Sequence, residues 1–568
     1  MSTELSALLT NAQQLHQQGK LTQAMDQYEQ IIALAPQNAD ALQGLGICAA
    51  QLHHMEKAID YFNRALEQNP DNHSLHNNIA NAYKASGHLD KAIQHYQDAL
   101  RINPHYAAAH NNIATVFALQ DNYREALNHY REAVHTEPDF VAAHYNLGLL
   151  LLKQGESDAA AVQFKNVQTL NPSHMEALFY SGVLHLRANR FDEAEHDFQR
   201  VLAINPEHVD TLVNIGVIAI KRSQEQLAVD YFTKALSLDE DNMDARNNMA
   251  ALFIHHDRYE NALIHYDVLL KKDPENIEYL YNAGVAQMAL GHLQEARIHF
   301  ETILNHQENH FATLNNLAAI NSRLGQREEA IQLLKRAITV NPNDSSCQFM
   351  LNALTGEKNQ SSACPDYIHN LFDQYALYYD QHMQSALQYT IPHHIGRLLH
   401  QFHGIDKVDR ALDLGCGTGL MGVVMREMSA HLTGVDLSAK MLAIANKKGI
   451  YDTLVESELI HFLQHDKHTY SLAIAADVIP YFGELDTLFG LIRKRLATQG
   501  LFILTTEIST DEPWQLQSSA RFNHHQRYIQ SLCVQHHLEL IHQEKAIARL
   551  QNQLPLSVMI YVCRAKAD

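Results

Sequence analysis

Small and apolar residues recur along the first 344 positions of the chain with a period of 34 residues. One position of the period holds alanine without exception: Ala24, Ala58, Ala92, Ala126, Ala160, Ala194, Ala228, Ala262, Ala296 and Ala330. Four residues later comes an aromatic residue, or leucine in the last period: Tyr28, Phe62, Tyr96, Tyr130, Phe164, Phe198, Phe232, Tyr266, Phe300 and Leu334. A period of this length accommodates two helices, with the small residue where their backbones approach and the ring in the gap. The pattern therefore predicts ten antiparallel helix pairs over residues 5–344.

Proline marks the end of the second helix in most periods, since it lacks an N–H donor and restricts the residue before it. The series is Pro36, Pro70, Pro104, Pro138, Pro172, Pro206, Pro274 and Pro342, with Glu240 and Glu308 at the two exceptions. On the first helix, Gly148, Gly182, Gly216 and Gly284 replace the alanine of most other units. In period and pattern the segment resembles the tetratricopeptide (TPR) family, which implies an all-α solenoid. Residues 345–354 then predict a solvating cap helix.

Asparagine occupies one position of the first helix in seven units, two residues before its small residue: Asn78, Asn112, Asn146, Asn214, Asn248, Asn282 and Asn316. Gly44 and Tyr180 interrupt the series. This pattern resembles the asparagine ladder of the O-GlcNAc transferase TPR array, where amides hold an extended peptide, and an amide can both donate to and accept from a peptide group. The resemblance implies a peptide-binding groove and a protein partner. The alternative is that asparagine is simply tolerated on a solvated face.

A polar segment, residues 355–366, separates the repeats from a different pattern and completes a predicted cap and linker over 345–366. An aromatic-rich helix follows over 367–380, either as a cap of the next domain or as a lid over a ligand, and a second helix over 392–402. From about residue 409, apolar strand patterns alternate with helical ones. This alternation predicts a doubly wound α/β domain over 367–568, with its ligand at the carboxyl ends of the strands.

The candidate chemistry lies where the first of these strands, ending in Ala411-Leu-Asp-Leu-Gly415-Cys-Gly417-Thr-Gly419, enters a glycine-rich turn. The next strand ends at Asp436, where a carboxylate can accept hydrogen bonds from ribose hydroxyls. A literal GxGxxG, Gly417 to Gly422, would by itself indicate a nicotinamide cofactor. However, Asp413 inside the strand is unfavourable beside phosphates and suits a cationic ligand.

The segments LDLGCGTG, GVDLS, AADVIPY and GLFILTTE together resemble class I S-adenosylmethionine-dependent methyltransferases over residues 367–568. The resemblance implies a Rossmann-like seven-stranded sheet with an antiparallel last strand, and S-adenosylmethionine as the cofactor. It also implies that Asp413 holds the methionine amino group through water, that Asp436 takes the ribose hydroxyls, and that Asp477 faces the methyl group. The implied cofactor-binding residues are Asp413, Gly415, Cys416, Gly417, Gly419, Asp436, Leu437, Ser438, Met441, Glu458 and Asp477.

Candidate catalytic residues beside Asp477 are His524, or its neighbour His525, as a base and Tyr481 as a positioning hydroxyl. The sequence ADVIPY after the fourth strand departs from the NPPY and DPPY sequences of enzymes that methylate DNA bases or glutamine. A small-molecule acceptor or a protein side chain presented by the repeats both remain open. The alternative function is a TPR adaptor for protein–protein interaction whose cofactor fold is not catalytic.

Composition limits the partners, the metal and thiol chemistry and the cellular location that we expect for this protein. The formal net charge of −21 argues against nucleic acid as the partner, because such binding depends on neutralising phosphates with Lys and Arg. The six cysteines lack metal-ligand or CxxC spacing, so no metal site is expected and reduced thiols are expected. The start of the chain lacks a signal-peptide pattern and no apolar run reaches the ~20 residues of a membrane span. These features predict a cytoplasmic protein.

Overall fold

The computed structural model describes residues 2–357, 360–402, 407–551 and 554–566. Two residues of the predicted linker, Lys358 and Asn359, lie outside this set. The chain divides into two compact units, residues 1–245 and 246–568.

The N-terminal unit consists of paired helices at the predicted period. Their bounds are α1 Ser2–Gln17, α2 Leu21–Leu34, α3 Ala39–Gln51, α4 Met55–Gln68, α5 His73–Ala85, α6 Leu89–Ile102, α7 Ala107–Leu119, α8 Tyr123–Thr136, α9 Val141–Lys153, α10 Ser157–Leu170, α11 Met175–Arg187, α12 Phe191–Ile204, α13 Val209–Lys221 and α14 Glu225–Leu238. The periodic alanines are fully buried. The helical solenoid that the period predicts is confirmed.

The periodic aromatic ring packs on the small residue of the first helix. At Gly148 an added Cβ would lie 2.8 Å from the ring of Phe164, and at Gly182 it would lie 2.6 Å from the ring of Phe198. Each contact joins the two helices of one repeat, and Tyr28 makes the same kind of contact with Gly44 of the following repeat. Real Cβ atoms do not approach this closely, so glycine is what allows the ring to lie flat in the seam.

The C-terminal unit begins with the remaining repeat helices and the cap helix. Their bounds are α15 Met243–His255, α16 Tyr259–Lys272, α17 Ile277–Ala289, α18 Leu293–His306, α19 Phe311–Arg323, α20 Arg327–Val340 and α21 Ser345–Thr355. A helix therefore occupies the segment for which a cap helix is predicted. Phe349 of this helix is fully buried in a cluster with Tyr481 and Phe522, so the cap packs against the α/β domain as well as against the repeats.

The α/β domain follows, and a π-turn at His382–Ala386 continues its first helix. Its helices are α22 Pro365–Gln381, α23 Ile391–Phe402, α24 Leu420–Glu427, α25 Ala439–Lys447, α26 Leu459–His465, α27 Asp486–Arg495 and α28 Gln526–Gln535. Its strands are β1 Val408–Leu414, β2 Ser429–Asp436, β3 Thr453–Glu456, β4 Tyr470–Ala475, β5 Leu496–Ser509, β6 Trp514–Leu516, β7 Phe522–His525, β8 Leu538–Gln551 and β9 Leu554–Ala565.

Seven of these strands run in the order β3-β2-β1-β4-β5-β9-β8. Strands β1 to β5 pair in parallel, whereas β9 is antiparallel to both of its neighbours. Helices cover both faces of the sheet, and each face has its own buried apolar cluster. The predicted doubly wound domain with an antiparallel last strand is confirmed. Because β1, β2 and β4 are parallel, their carboxyl ends lie at the same edge of the sheet.

Four elements of this domain were not predicted from the sequence. The short strands β6 and β7 form a hairpin that extends the end of β5. Helix α26 is a short segment after β3. Strand β8 is 14 residues long, yet its outer position leaves most of its side chains only half-buried, so the alternation of apolar and polar residues is weak.

All six cysteines are free thiols, as expected; Cys533 and Cys563 lie with their Sγ atoms 3.5 Å apart. Within the described ranges, none of the helices is both long enough and apolar enough to cross a bilayer.

Candidate functional site

The glycine-rich turn after β1 is formed by three residues with positive φ: Gly415 at 71°, Gly417 at 53° and Gly419 at 89°. Gly415 and Cys416 donate their N–H groups to the carbonyl oxygen of Val435 at the end of β2, over 2.8 and 3.0 Å. An added Cβ at Gly415 would lie 2.5 Å from Val478, whereas a Cβ at Gly417 would meet nothing within 4 Å. The turn is therefore packed on one side and open at Gly417.

Asp436 places its carboxylate against this open residue. Its Oδ2 accepts a hydrogen bond from the N–H of Gly417 over 2.8 Å, and its Oδ1 accepts one from the N–H of Ser438 over 2.9 Å. Burial raises the pKa of Asp436, and backbone N–H groups counteract this. Two oxygens held by backbone donors still have lone pairs for hydroxyl donors of a ligand.

Asp413 lies one strand away in β1 and is 1% exposed. Its Oδ2 accepts a hydrogen bond of 2.7 Å from the hydroxyl of Tyr451. Burial raises the pKa of Asp413 to about 7; the Tyr451 hydrogen bond opposes this, and the charge of Asp436 adds to it. A cation bound nearby would favour the ionised form of this carboxyl group.

Tyr451 was missed by the sequence analysis. Its ring would contact an added Cβ at 3.0 Å for Gly419, at 2.1 Å through the hydroxyl for Gly422, and at 2.8 Å for Gly434. These glycines thus make room for one tyrosine that supports the carboxylate of Asp413. Packing against Tyr451 therefore explains why Gly422, the last glycine of the misleading GxGxxG match, is a glycine. Glycines at all three positions are the signal in the sequence that could have pointed to a bulky side chain in this volume.

The remaining predicted cofactor residues lie around the same edge. The hydroxyl of Ser438 caps α25 by accepting from the N–H of Met441 over 3.1 Å, and Met441 is buried in the core. Leu437 is half-buried between Asp436 and this cap. Cys416 is buried, and burial raises the pKa of its thiol well above the usual value. Glu458 is exposed after β3, where it precedes α26.

Helix α22 crosses this edge of the sheet and provides two further acidic residues that the sequence analysis did not single out. Asp373 accepts a hydrogen bond of 2.5 Å from the hydroxyl of Ser438. Asp380 accepts from the hydroxyl of Thr418 and pairs with Lys448 over 2.6 Å. The aromatic-rich helix is therefore bonded to the cap of α25 from its middle, and to the glycine turn and α25 from its C-terminal end.

Asp477, just after β4, is bound by two arginines. It adopts a φ of 60°, and its carboxylate accepts hydrogen bonds from Arg521 over 2.5 Å and from Arg549. Burial would raise the pKa of Asp477, but the two guanidinium groups lower it below the usual value. Asp477 is consequently an ionised anchor for two arginines.

Arg521 connects Asp477 to Tyr481 and to a second acid. It donates to Glu507 from Nε over 2.6 Å and to the hydroxyl of Tyr481 from Nη1 over 2.9 Å. Burial raises the pKa of Tyr481 and Arg521 opposes the shift; Tyr481 remains a neutral hydroxyl. Tyr379 of α22 lies close enough to Asp477 for burial and then this charge to raise its pKa. Arginines and tyrosines therefore line the region beyond β4.

His524 is not brought together with these groups. In the pairing of β5 with β7, Glu507 lies opposite Asn523 and Ile508 opposite His524. Neighbouring residues of a strand point to opposite faces, so His524 faces away from Glu507 and Arg521. It is fully buried, and its Nε2 donates to the carbonyl oxygen of Gly483 over 3.1 Å. Burial lowers its pKa to about 4, so the ring is neutral at pH 7.

Comparisons with known proteins identify families in both parts of the chain. Residues 379–552 match the family model described as a methyltransferase domain. TPR models match residues 15–82, 71–134, 115–155, 145–209, 213–277 and 311–341. The chain contains a methyltransferase domain and multiple TPR repeats.

One curated relative is a protein of Geobacillus sp. (strain WCH70) named "Putative methyltransferase GWCH70_2453". It is 38% identical over 77 residues, which are 14% of this chain and 31% of the relative. The chain thus spans about a third of the length of the curated relative it matches.

Solved structures similar to the repeats include YrrB, described as a TPR protein with an unusual peptide-binding site. It is 26% identical and covers 32% of this chain and 95% of its own, with a TM-score of 0.31. TTC0263, a TPR protein of Thermus thermophilus, is 23% identical, over 32% of this chain and 99% of its own, with a TM-score of 0.29.

The asparagine series of the TPR repeats is half-buried at all seven positions. Two of the amides bridge successive repeats: Asn112 donates to Asn77 over 3.1 Å, and Asn146 donates to Asn111 over 2.9 Å. In the C-terminal unit Asn316 makes the corresponding bond to the hydroxyl of Tyr281 over 3.4 Å. Some of the side-chain amide N–H groups therefore already donate hydrogen bonds to other helices of the array.

Proposed function

We propose that this protein transfers a methyl group from S-adenosylmethionine to an acceptor bound beneath α22. The observation that carries the proposal is the pairing of Asp436 with the open glycine Gly417. A carboxylate that accepts from two backbone N–H groups, beside a residue whose missing Cβ leaves free space, suits a ribose with two hydroxyls.

The charges of the region fit the rest of this cofactor. S-adenosylmethionine carries an ammonium and a sulfonium, and it would lie between the carboxylates of Asp413 and Asp436. Burial raises the pKa values of both acids, so a nearby cation would recover part of the free energy that their ionisation costs. The cofactor supplies an activated methyl group; the chain orients it and excludes water through α22.

The acceptor end of the site favours a molecule that carries an anionic group. Arg549 has one hydrogen-bond partner among the described residues, Asp477, and its side chain is 11% exposed. Its other N–H groups are available to a carboxylate or a similar anion. Asp477 keeps its charge and Tyr481 keeps its proton, so we assign both to positioning of the acceptor, and we assign His524 a structural role.

We further propose that the TPR repeats recruit a protein, using the half-buried asparagines of their first helices. Asn78 supports this role best, since its side-chain amide has no hydrogen-bond partner within the described residues. An Asn78→Ala variant should weaken capture of such a protein while cofactor binding stays unchanged. Equal capture by the variant and the wild type would contradict the role of the asparagines.

The decisive experiment is calorimetric titration of S-adenosylmethionine into Asp436→Asn, with Asp452→Asn as the matched control. Asp452 also accepts a backbone N–H, from Leu432 over 2.7 Å, but it pairs with Arg426 away from the glycine turn. We expect Asp436→Asn to abolish measurable binding and the control to bind like the wild type. No affinity in the wild type would leave the alternative, a TPR adaptor that does not transfer methyl groups.

The acceptor class is tested by incubating cell extract with methyl-labelled cofactor and separating protein from small molecules. Label in either fraction identifies the acceptor. The anionic group is then tested with Arg549→Lys, which retains a charge for Asp477 but removes the planar donors. We expect the KM for the acceptor to rise at least ~tenfold, by loss of a charge-assisted hydrogen bond, with unchanged cofactor affinity. An unchanged KM would contradict the role of Arg549.

A further inference from the structure

Three potential metal ligands converge between the two helices of the third repeat. The Nδ1 atoms of His76 on α5 and His95 on α6 lie 3.2 Å apart. Asp98 follows His95 by one helical turn, and one ligand atom from each residue lies within 4.8 Å of the other two. His76 is 7% exposed, while His95 and Asp98 are half-buried. Among the described residues, no other three His, Cys, Asp or Glu side chains converge in this way.

Two of the three ligands are held by contacts with neighbouring side chains. The ring of His95 stacks on Tyr83 with 5.6 Å between centroids and an interplanar angle of 19°. Asp98 pairs with Arg101 over 3.3 Å at the surface, a contact that leaves its second oxygen available.

The next repeat provides an internal comparison. His110 and His129 occupy the equivalent positions, and their Nδ1 atoms lie 2.9 Å apart. There Nε2 of His110 donates to the carbonyl oxygen of Pro104. The position equivalent to Asp98 holds Glu132, which is exposed and does not join the pair. The paired histidines recur in two repeats, but a third ligand converges in only one of them.

The distances agree with a tetrahedral site. With metal–ligand bonds of about 2.0–2.1 Å, neighbouring ligand atoms in a tetrahedral zinc site are roughly 3.3 Å apart. The two histidine nitrogens already have this separation, and a ligand atom of Asp98 lies within 4.8 Å of a ligand atom of each histidine. We propose that His76, His95 and Asp98 bind a divalent metal ion of the zinc type, with water as the fourth ligand.

The site would tie α5 to α6 beside Asn77 and Asn78, which follow His76 directly on α5. A bound ion therefore fixes the geometry of this part of the array independently of the methyltransferase domain. No spacing signal for it exists in the sequence, because the ligands come from two helices and only His95 and Asp98 are close in the chain.

The test is titration of Zn²⁺ into the metal-stripped full chain, in competition with a chromophoric chelator. The variant is His95→Gln, and the matched control is His129→Gln, which breaks the same kind of histidine pair. Loss of one outer-sphere partner alone weakens metal sites by roughly 10–100-fold, so loss of a ligand should cost at least ~100-fold. We expect this loss in His95→Gln, a smaller loss in Asp98→Asn, and wild-type affinity in His129→Gln.

Two further measurements separate loss of a ligand from loss of the fold. Circular dichroism should give the same helix content for both histidine variants. Saturating Zn²⁺ should raise the Tm of the wild type and of His129→Gln but not that of His95→Gln. Other histidines contribute equally to all variants and cancel in the comparison. Equal Zn²⁺ affinity in His95→Gln and wild type, the same loss in His129→Gln, or no effect of Asp98→Asn would overturn the proposal.

Discussion

The hydroxyl of Tyr451 donates a 2.7 Å hydrogen bond to the buried carboxylate of Asp413, across 38 residues of chain. The ring reaches it through a volume that Gly419, Gly422 and Gly434 leave open. Among the described residues, Tyr451 is the one hydrogen-bond donor to the Asp413 carboxylate, so it controls the charge of the group that would face the ammonium of the cofactor.

Tyr451→Phe should therefore weaken binding of S-adenosylmethionine without unfolding the domain. A hydrogen bond to a charged group contributes about 1.5–3 kcal/mol, and its loss raises the pKa of Asp413 further. We expect an affinity loss of roughly tenfold at pH 7.5, measured by calorimetry, that shrinks as the pH is raised. Tyr528→Phe is the control, since its hydroxyl accepts from Leu485 instead. An equal loss in both variants would speak against a specific role of Tyr451.

The affinity of the wild type for S-adenosylmethionine should fall as the pH falls below about 7. The pKa of Asp413 is raised to about 7, so below this pH the free protein holds a proton that a cationic ligand must displace. The slope should approach tenfold per pH unit and level off above pH 7. Asp413→Asn should lack the pH dependence that comes from protonation of Asp413. The titration of the ligand itself affects both proteins equally. The ratio of the two affinities therefore reports the contribution of Asp413 alone. A ratio independent of pH would contradict the assignment.

The same raised pKa affects folding in the opposite sense. The stability associated with protonated Asp413 is complete below its unfolded pKa near 3.8 and is lost as the pH rises through about 7. Asp413→Asn should therefore become more stable than the wild type at pH 8, as measured by chemical denaturation in the absence of ligand. A wild type that is equally stable relative to the variant at pH 5 and pH 8 would be inconsistent with a raised pKa.

Gly417→Ala should weaken cofactor binding, whereas Gly449→Ala should leave it unchanged. Both glycines have positive φ, 53° and 64°, and neither would bring a Cβ within 4 Å of another residue. Each variant should lose about 1 kcal/mol of stability through backbone strain. Only at Gly417 does the methyl group occupy the space that we assign to the cofactor, where overpacking costs a further 1–3 kcal/mol or about tenfold in affinity. Calorimetry and denaturation together distinguish the two effects.

His524→Gln should leave turnover within about tenfold of the wild type, because the ring faces away from Asp477 and Arg521. The substitution should instead change the stability of the folded protein at acidic pH. The depressed pKa of about 4 contributes stability that is present above pH 6.5 and lost as the pH falls towards 4, by up to about 3 kcal/mol. The variant should therefore lose less stability than the wild type as the pH falls from 6.5 towards 4. A loss of turnover of 100-fold or more with the fold intact would restore His524 as the base.

Local patterns were sufficient for most of the architecture. The 34-residue period predicted the paired helices, and the alternation after residue 409 predicted a doubly wound sheet. The strands that were missed lack a readable pattern for physical reasons. β8 lies outside the sheet centre, so it needs no regular apolar face, and β6 and β7 are too short to show a period.

The site was predictable where function depends on backbone geometry. The glycine turn and Asp436 were recognisable because close approach to a ligand requires glycine and because the carboxylate must follow a strand end. His524 was chosen for its residue type, and residue type alone does not specify on which face of β7 the ring lies. Similarly, the sequence could not reveal that the carboxylate of Asp477 forms an ion pair with Arg549, 72 residues away.

The sequence by itself determined the repeat array, the doubly wound domain and the residues that form the glycine turn, because periodicity and backbone conformation are local properties. The tertiary structure alone decided which side chains meet: Tyr451 with Asp413, Asp477 with two arginines, and His76 with His95 and Asp98. Such contacts depend on the packing of distant segments against one another. Burial then alters their charges, and no local pattern encodes that.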